Sequence, residues 1–329
     1  MTSAFLAIAW GLLAAIGAFW WFTVEPRLLR RRPKFVAEVS PARLERDVRI
    51  LSGELGPRDY AHPRELDEVV RFIVTELRSA GVQVSEQAFE VEGLPFKNVV
   101  GIVGPQTKER IVVGAHFDTC GPLPGADDNA SGVAALLELA RVLAQQELPL
   151  AVELVAYNLE EPPFFGTEAM GSAIHADELH STGKAVRFMV SLEMLGFFSD
   201  APNSQRYPSR FLEWLHPGVG DFITVVGTFG QKRITSEIRE KMAAASSVPV
   251  RSITASRSIT GIDYSDHRNY WNRGYPAVMV TDTSFFRNPH YHTETDTFDT
   301  LDYERMAEVV RGVANAIVDN APSPISSRS

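Results

Sequence analysis

Apolar positions recur along the chain in two rhythms. From Pro63 to Ala80 they return every three or four residues (PRELDEVVRFIVTELRSA), with Pro at the start and Gly81 just past the end, which predicts an amphipathic helix. Apolar or alternating runs follow at 82–91, 98–103 and 110–115, then a helical pattern at about 130–146. Next come a strand at 150–158, a helix near 168–180 and a strand at 186–193. Strands at 222–226 and 277–281 and a helix at 302–319 complete the pattern. Such alternation predicts an α/β three-layer sandwich, with a mixed, largely parallel central sheet flanked by helices. The body occupies residues 35–320, and 321–329 (PSPISSRS follows Ala321) form a flexible tail. The stretch 199–275 is richer in Gly, Ser, Arg and aromatics, and is the candidate insertion or lid.

The first rhythm breaks down at the N-terminus, where Ala4 to Val24 is a run of 21 uncharged residues, 18 of them apolar. At about 1.5 Å per residue it would span roughly 30 Å, the thickness of the bilayer's hydrocarbon core. Three of the five Trp lie in it, and Trp20 and Trp21 sit where an interfacial belt belongs. MTSAF has no basic n-region and the run ends in WWF, so the sequence predicts an uncleaved single-pass anchor over residues 4–24 rather than a signal peptide. The small residues Ala7, Gly11 and Ala15 recur every four positions, a spacing that helix pairing can use, but their simpler reading is as ordinary small residues of a lipid-facing helix. The basic flank within 25–34 would place the body on the cytoplasmic side.

Composition narrows the function classes. The 329 residues carry a formal charge of −9, but residues 25–34 hold five bases and one acid, so the rest carries 27 bases against 40 acids, or −13. A body that acidic lacks the footprint of a nucleic-acid binder. Cys120 is the only cysteine. It excludes an intrachain disulfide, and the expectation is that no Cys-based metal site forms.

Polar residues able to do chemistry stand at the carboxyl ends of predicted strands, where open α/β sheets bind ligands. RIVVGA delivers His116-Phe117-Asp118, LAVELVAYN delivers Glu160-Glu161, and VRFMVSL delivers Glu193. GADDNASG places Asp127, Asp128 and Asn129 before a helix, and a late loop carries His290-Tyr291-His292. Singly, each has a plain structural reading: Asp-Asp-Asn before a helix is an N-cap cluster, and Glu-Glu at a strand end is solvated charge. Together, two histidines and several carboxylates at successive strand ends describe a metal site without thiolate.

These motifs, HFD, GADDNASG, EE, SLEM and HYHTETDTFDTLD, resemble in order and spacing the co-catalytic zinc aminopeptidases, relatives of glutaminyl cyclases and glutamate carboxypeptidases. The resemblance spans about residues 98–305. It implies two zinc ions, one held by His116, Asp127 and Glu193 and the other by Asp127, Glu161 and His292, with Asp127 bridging. For that set, three carboxylates, two divalent ions and one hydroxide sum to zero charge. It further implies that Asp118 orients His116, that Glu160 is the general base, and that Tyr291 donates to the tetrahedral intermediate. Ser265-Asp266-His267 would shape the pocket, and Pro162 to Phe165 would line an altered rim.

The expected function is a membrane-anchored zinc exopeptidase acting on peptide substrates, most simply an aminopeptidase. For such an enzyme the resemblance favours a body outside the cytoplasm, against the reading from charge. A one-zinc glutaminyl-cyclase-like acyltransferase remains open. So does a carboxypeptidase, with Arg206, Arg210, Arg257, Arg268 and Arg273 as its cationic pocket. A catalytically inactive, membrane-tethered interaction domain would be expected to have lost ligands, and none of the five positions is lost.

Overall fold

The computed structural model describes residues 6, 10, 11, 13, 17, 32–216 and 218–321. Eight strands form one sheet: β1 (Gln83–Val91), β2 (Leu94–Val103), β3 (Glu109–His116), β4 (Ala151–Tyr157), β5 (Ala185–Glu193), β6 (Ile223–Thr228), β7 (Val250–Ala255) and β8 (Ala277–Thr281). Their spatial order is β1-β2-β4-β3-β5-β8-β6-β7. The four central strands β4, β3, β5 and β8 run parallel, while β2 against β4 and β6 against β8 are antiparallel. Four carboxyl ends therefore meet along one edge.

The periodic segments become helices because their apolar stripes need a sheet face. Helices α1 (Pro41–Arg49), α2 (Pro63–Ser79), α3 (Gly132–Leu143), α6 (Lys232–Ala245) and α8 (Tyr303–Asn320) share the larger apolar core on one face. Helices α4 (Gly171–Ser181) and α7 (His267–Asn272) pack in the smaller core on the other; a short helix α5 (Arg210–Leu215) lies in the loop before β6. The result is the three-layer sandwich expected. In α3, 11 of 12 residues are buried. Its buried Glu138 is offset by ion pairs to Arg43 and Arg141, since an uncompensated charge there would cost several kcal/mol.

Stretch 199–275 does more than cover the sheet. It lies between the neighbouring strands β5 and β8, and it adds β6 and β7 to the same sheet with α6 packed behind them.

The expected membrane anchor is corrected. A span needs about 20 consecutive apolar residues, and among the described residues no helix is long and apolar enough to cross a membrane. The longest described helix, α8, has 18 residues and carries Glu304, Arg305, Glu308, Arg311 and Asp319. Of residues 4–24 only Leu6, Trp10, Gly11, Leu13 and Gly17 are described, so most of the expected segment lies outside the described residues. Bilayer binding and the side of the body both rested on that segment.

Candidate metal centre

Strand ends bring the polar motifs into one place. β3 ends in His116, β4 leads into Glu160-Glu161, β5 ends in Glu193, and the loop after β8 returns with His292. Between β3 and α3 the chain passes through Gly125 (φ +56°), where an added Cβ would lie 2.3 Å from the Asp128 carbonyl oxygen. Only glycine fits that turn. The Asp296 carboxylate then accepts from the Asp127 and Asp128 amides at 2.9 and 3.1 Å and fixes the loop.

Two donor groups face each other across one carboxylate. Asp128 Oδ1 lies 3.3 Å from His116 Nε2, and Glu193 Oε2 lies 3.4 Å from the same nitrogen. Asp128 Oδ2 lies 3.1 Å from His292 Nε2, which is 3.2 Å from Glu161 Oε1. Asp128, rather than the expected Asp127, is thus the carboxylate that stands between the two histidines. Asp127 turns the other way: its carboxylate accepts from the Gly196 amide at 2.9 Å and the Asn288 side-chain amide at 2.7 Å. It is fully buried, and burial together with neighbouring Asp282 raises its pKa well above the carboxylate range. A buried acid whose two oxygens both accept hydrogen bonds suits a structural post.

The donor set fits a cation. His116 Nε2, His292 Nε2 and Glu161 Oε1 are buried yet have no hydrogen-bond partner, which is rare unless an ion or water completes them. The far side of the His116 ring is occupied, because Nδ1 meets the Asp118 carbonyl oxygen at 3.1 Å. That contact selects the Nδ1–H tautomer and leaves Nε2 as a ligand atom. Burial opposes charging of the His292 ring, but Asp128 and Glu161 outweigh it and push its pKa up to about 10. Burial and the Asp128 charge push Glu161 up to about 7. Without a cation the cluster draws protons, which is the behaviour of a site built for positive charge.

The remaining expected residues take up distinct positions. The Asp118 carboxylate, expected to orient His116, accepts from the Glu160 and Glu161 amides at 3.1 and 3.0 Å and lies 3.6 Å from the His116 ring. Glu160 Oε2 lies 3.9 Å from His116 Nε2, and burial raises its pKa well above the usual value. Tyr291 stacks on His292 with ring centroids 3.8 Å apart. Ser265 donates to Glu193 Oε2 at 2.7 Å, Asp266 is buried beside the centre and is pushed up to about 7, first by burial, and His267 Nε2 meets the Ile262 carbonyl at 2.8 Å.

Two contributors were not anticipated. Buried Arg58 donates to the Phe117, Pro124 and Gly125 carbonyl oxygens and ties the two site loops together. An unremarkable PRD triplet in the sequence carries no signal of that role. Cys120 Sγ lies within 4.8 Å of ligand atoms of both Glu161 and His292, so a thiol stands beside a donor set expected to lack one. Burial and the Glu161 charge raise its pKa to about 11.

Beside the centre opens a cavity of about 340 Å³, walled by Phe222, Val226, Ile253, Met279 and Phe285, with Pro162 and Phe165 also lining it. Arg206 and Arg251 also line it. Arg210 is exposed. Arg257 and Arg268 instead lie near Asp263, at 3.8 and 3.9 Å, and Arg273 pairs with Asp177 and Glu168. The five-arginine pocket expected of a carboxypeptidase is not assembled.

An α/β sandwich with this donor set at its strand ends has the architecture of a metallo-exopeptidase, and residues 98–317 match the model of peptidase family M28. The chain belongs to that family of hydrolases. It is 41% identical over 296 residues to the uncharacterised protein YfbL of Escherichia coli K12, covering 88% of this chain and 91% of that one. With leucine aminopeptidase 1 of Ajellomyces capsulatus it shares 27% over 261 residues, 74% of this chain but only 60% of the fungal protein. Among solved structures, BSAP, a zinc aminopeptidase from Bacillus subtilis, superposes with a TM-score of 0.71 at 14% identity, covering 88% of this chain and 97% of that one. A Bacteroides thetaiotaomicron glutaminyl cyclase bound to N-acetylhistamine superposes at 0.68 and 21%, covering 87% and 99%. Both share the fold.

Proposed function

We propose that the chain is a zinc aminopeptidase with two metal positions, one at His116, Asp128 and Glu193 and one at Asp128, Glu161 and His292. The observation that carries this reading is the division of the Asp128 carboxylate, one oxygen 3.3 Å from His116 Nε2 and the other 3.1 Å from His292 Nε2. A similarity to proteins named leucine aminopeptidase and zinc aminopeptidase supports it. Zinc bound there supplies a Lewis acid and acidifies water near neutral pH.

The chain's own residues supply the rest. Glu160, held by the Asp118 carboxylate through its backbone amide, takes the proton of the attacking water and returns it to the leaving amine. The Tyr291 hydroxyl, kept protonated by burial and the surrounding carboxylates, donates to the developing oxyanion. The carboxylate-rich floor suits a free α-amino group, and the apolar cavity accepts the side chain beside it. Of the arginines a carboxypeptidase would need, Arg257, Arg268 and Arg273 already lie against acids of the same chain.

The test compares chelated and zinc-reloaded protein on aminoacyl amides, N-blocked peptides and N-terminal glutaminyl peptides. Zinc-dependent release of unblocked N-terminal residues is expected, with Glu160→Gln retaining metal and losing ~10²–10⁴-fold in kcat. Cyclisation of glutaminyl peptides without amide hydrolysis, or cleavage of N-blocked peptides from the C-terminus, would overturn the aminopeptidase reading.

A further inference from the structure

The two donor groups of the centre are not equivalent. Around His116 Nε2 stand the Asp128 and Glu193 carboxylates. Around His292 Nε2 stand Asp128 and Glu161, and a third side chain is close by, because a carboxylate oxygen of Glu161, a ring nitrogen of His292 and Cys120 Sγ all lie within 4.8 Å of one another. Donor atoms on one metal at 2.0–2.3 Å sit roughly 3–4.5 Å apart, and a thiol within 4.8 Å of its neighbours reaches that range with a small rotation of its side chain.

Its neighbours point to a ligand independently of the cysteine. Glu161 is 5% exposed and its Oε1 has no hydrogen-bond partner, and His292 Nε2 has none either. The segment bearing the thiol is also held in place. The Thr119 amide donates to the Arg58 carbonyl oxygen at 3.1 Å and the Thr119 hydroxyl to the Gly121 carbonyl at 2.9 Å. Cys120 itself is partly exposed, so ions and reagents can reach it.

We propose that Cys120 is a fourth donor at the His292 metal position, making that position a closed Asp128–Glu161–His292–Cys120 set while the His116 position keeps a place open for water. This rests on the two-position reading above. Closed four-donor sets with sulfur retain zinc as structural sites do, whereas three protein donors leave the open place that catalysis uses. A thiolate also shifts preference toward softer ions. The His292 position would therefore hold its metal more tightly, favour cadmium over the His116 position, and loosen when the thiol is alkylated.

Cobalt(II) titration of the chelated full chain reads this directly. Wild type is expected to bind two cobalt equivalents and to develop a near-ultraviolet thiolate-to-cobalt charge-transfer band with one of them. Cys120→Ala should lose that band, keep the visible cobalt absorption of both ions, and bind one ion at least ~10-fold more weakly, the lower end of what an outer partner of a metal site contributes. Circular dichroism would verify that the variant is folded. Two cobalt ions without a charge-transfer band in wild type, or a band that survives in Cys120→Ala, would overturn the role of Cys120 and leave the two-position reading intact. Fewer than two cobalt ions in wild type would overturn both.

Discussion

Two buried clusters of histidine and acid lie at different depths of the same sheet, and they behave in opposite ways. At the strand ends, His116 and His292 face Asp128, Glu161 and Glu193, and their Nε2 atoms are unpartnered. Further along β3 and β4, Arg110 pairs with Glu153, while His175 and Tyr157 each meet the Tyr270 hydroxyl at 2.7 Å. His175 is lowered to about 3 by burial and the Arg110 charge; burial likewise opposes charge on His116, yet Glu193 and Glu160 draw it well above its usual value. The difference is an internal cation. Where the chain supplies Arg110, the histidine is a neutral hydrogen-bonding strut. Where it supplies none to the rings, the cluster calls for a cation from outside.

The largest effect should separate the two adjacent aspartates. Asp128→Asn is expected to lose both metal equivalents and more than the ~100-fold in affinity that an outer partner contributes. Asp127→Asn, which disturbs the contacts to Gly196, Asn288 and Asp282, should keep metal and cost ~1–3 kcal/mol of stability. Metal analysis beside urea unfolding decides between them. The reverse pattern would restore Asp127 as the bridge.

Next in size is the Arg110 cluster. Glu153→Gln leaves a buried guanidinium without its counter-charge, and should destabilise the chain by ~3–5 kcal/mol with metal content and kcat unchanged. Loss of metal in that variant would mean that the two clusters are coupled.

The effect that is smallest at each pH step is a slope. His175 titrates near 3 in the fold against a usual 6.5, so its contribution is complete above pH 6.5. It is lost as pH falls toward 3, because the unfolded state takes up a proton that the fold refuses. Wild type should lose ~1.4 kcal/mol per pH unit relative to His175→Gln across that window. Unfolding free energies whose difference does not change with pH would show that the ring is charged in the fold.

Legibility in the sequence followed periodicity and local chemistry. Seven of the eight strands are legible: β3, β4, β5 and β8 stand out as contiguous apolar runs because each is buried on both faces. β7 was missed because VRSITA puts Ser252 and Thr254 into buried positions, so no apolar alternation marks it. Helix α6 lies inside an aromatic, Gly-rich stretch that obscures its pattern, although Ile234, Ile238 and Met242 keep helical spacing. Helix α1 shows only Leu44 and Val48 as apolar anchors, and its one clear sequence signal is the Ser40 cap, which accepts from the Arg43 amide.

By itself the sequence determined the α/β class, the family, and the strand ends at which His116, Glu160, Glu161, Glu193 and His292 would gather, since order and spacing along the chain encode them. Which of Asp127 and Asp128 faces the centre was decided only in three dimensions. Neighbouring residues of identical type differ there solely in backbone direction, and Asp296, Gly196 and Asn288, from distant segments, set that direction. The same holds for Cys120 beside Glu161 and His292 and for Arg58 behind the loops. Their roles come from proximity between segments far apart in the chain, which no local pattern of residues records.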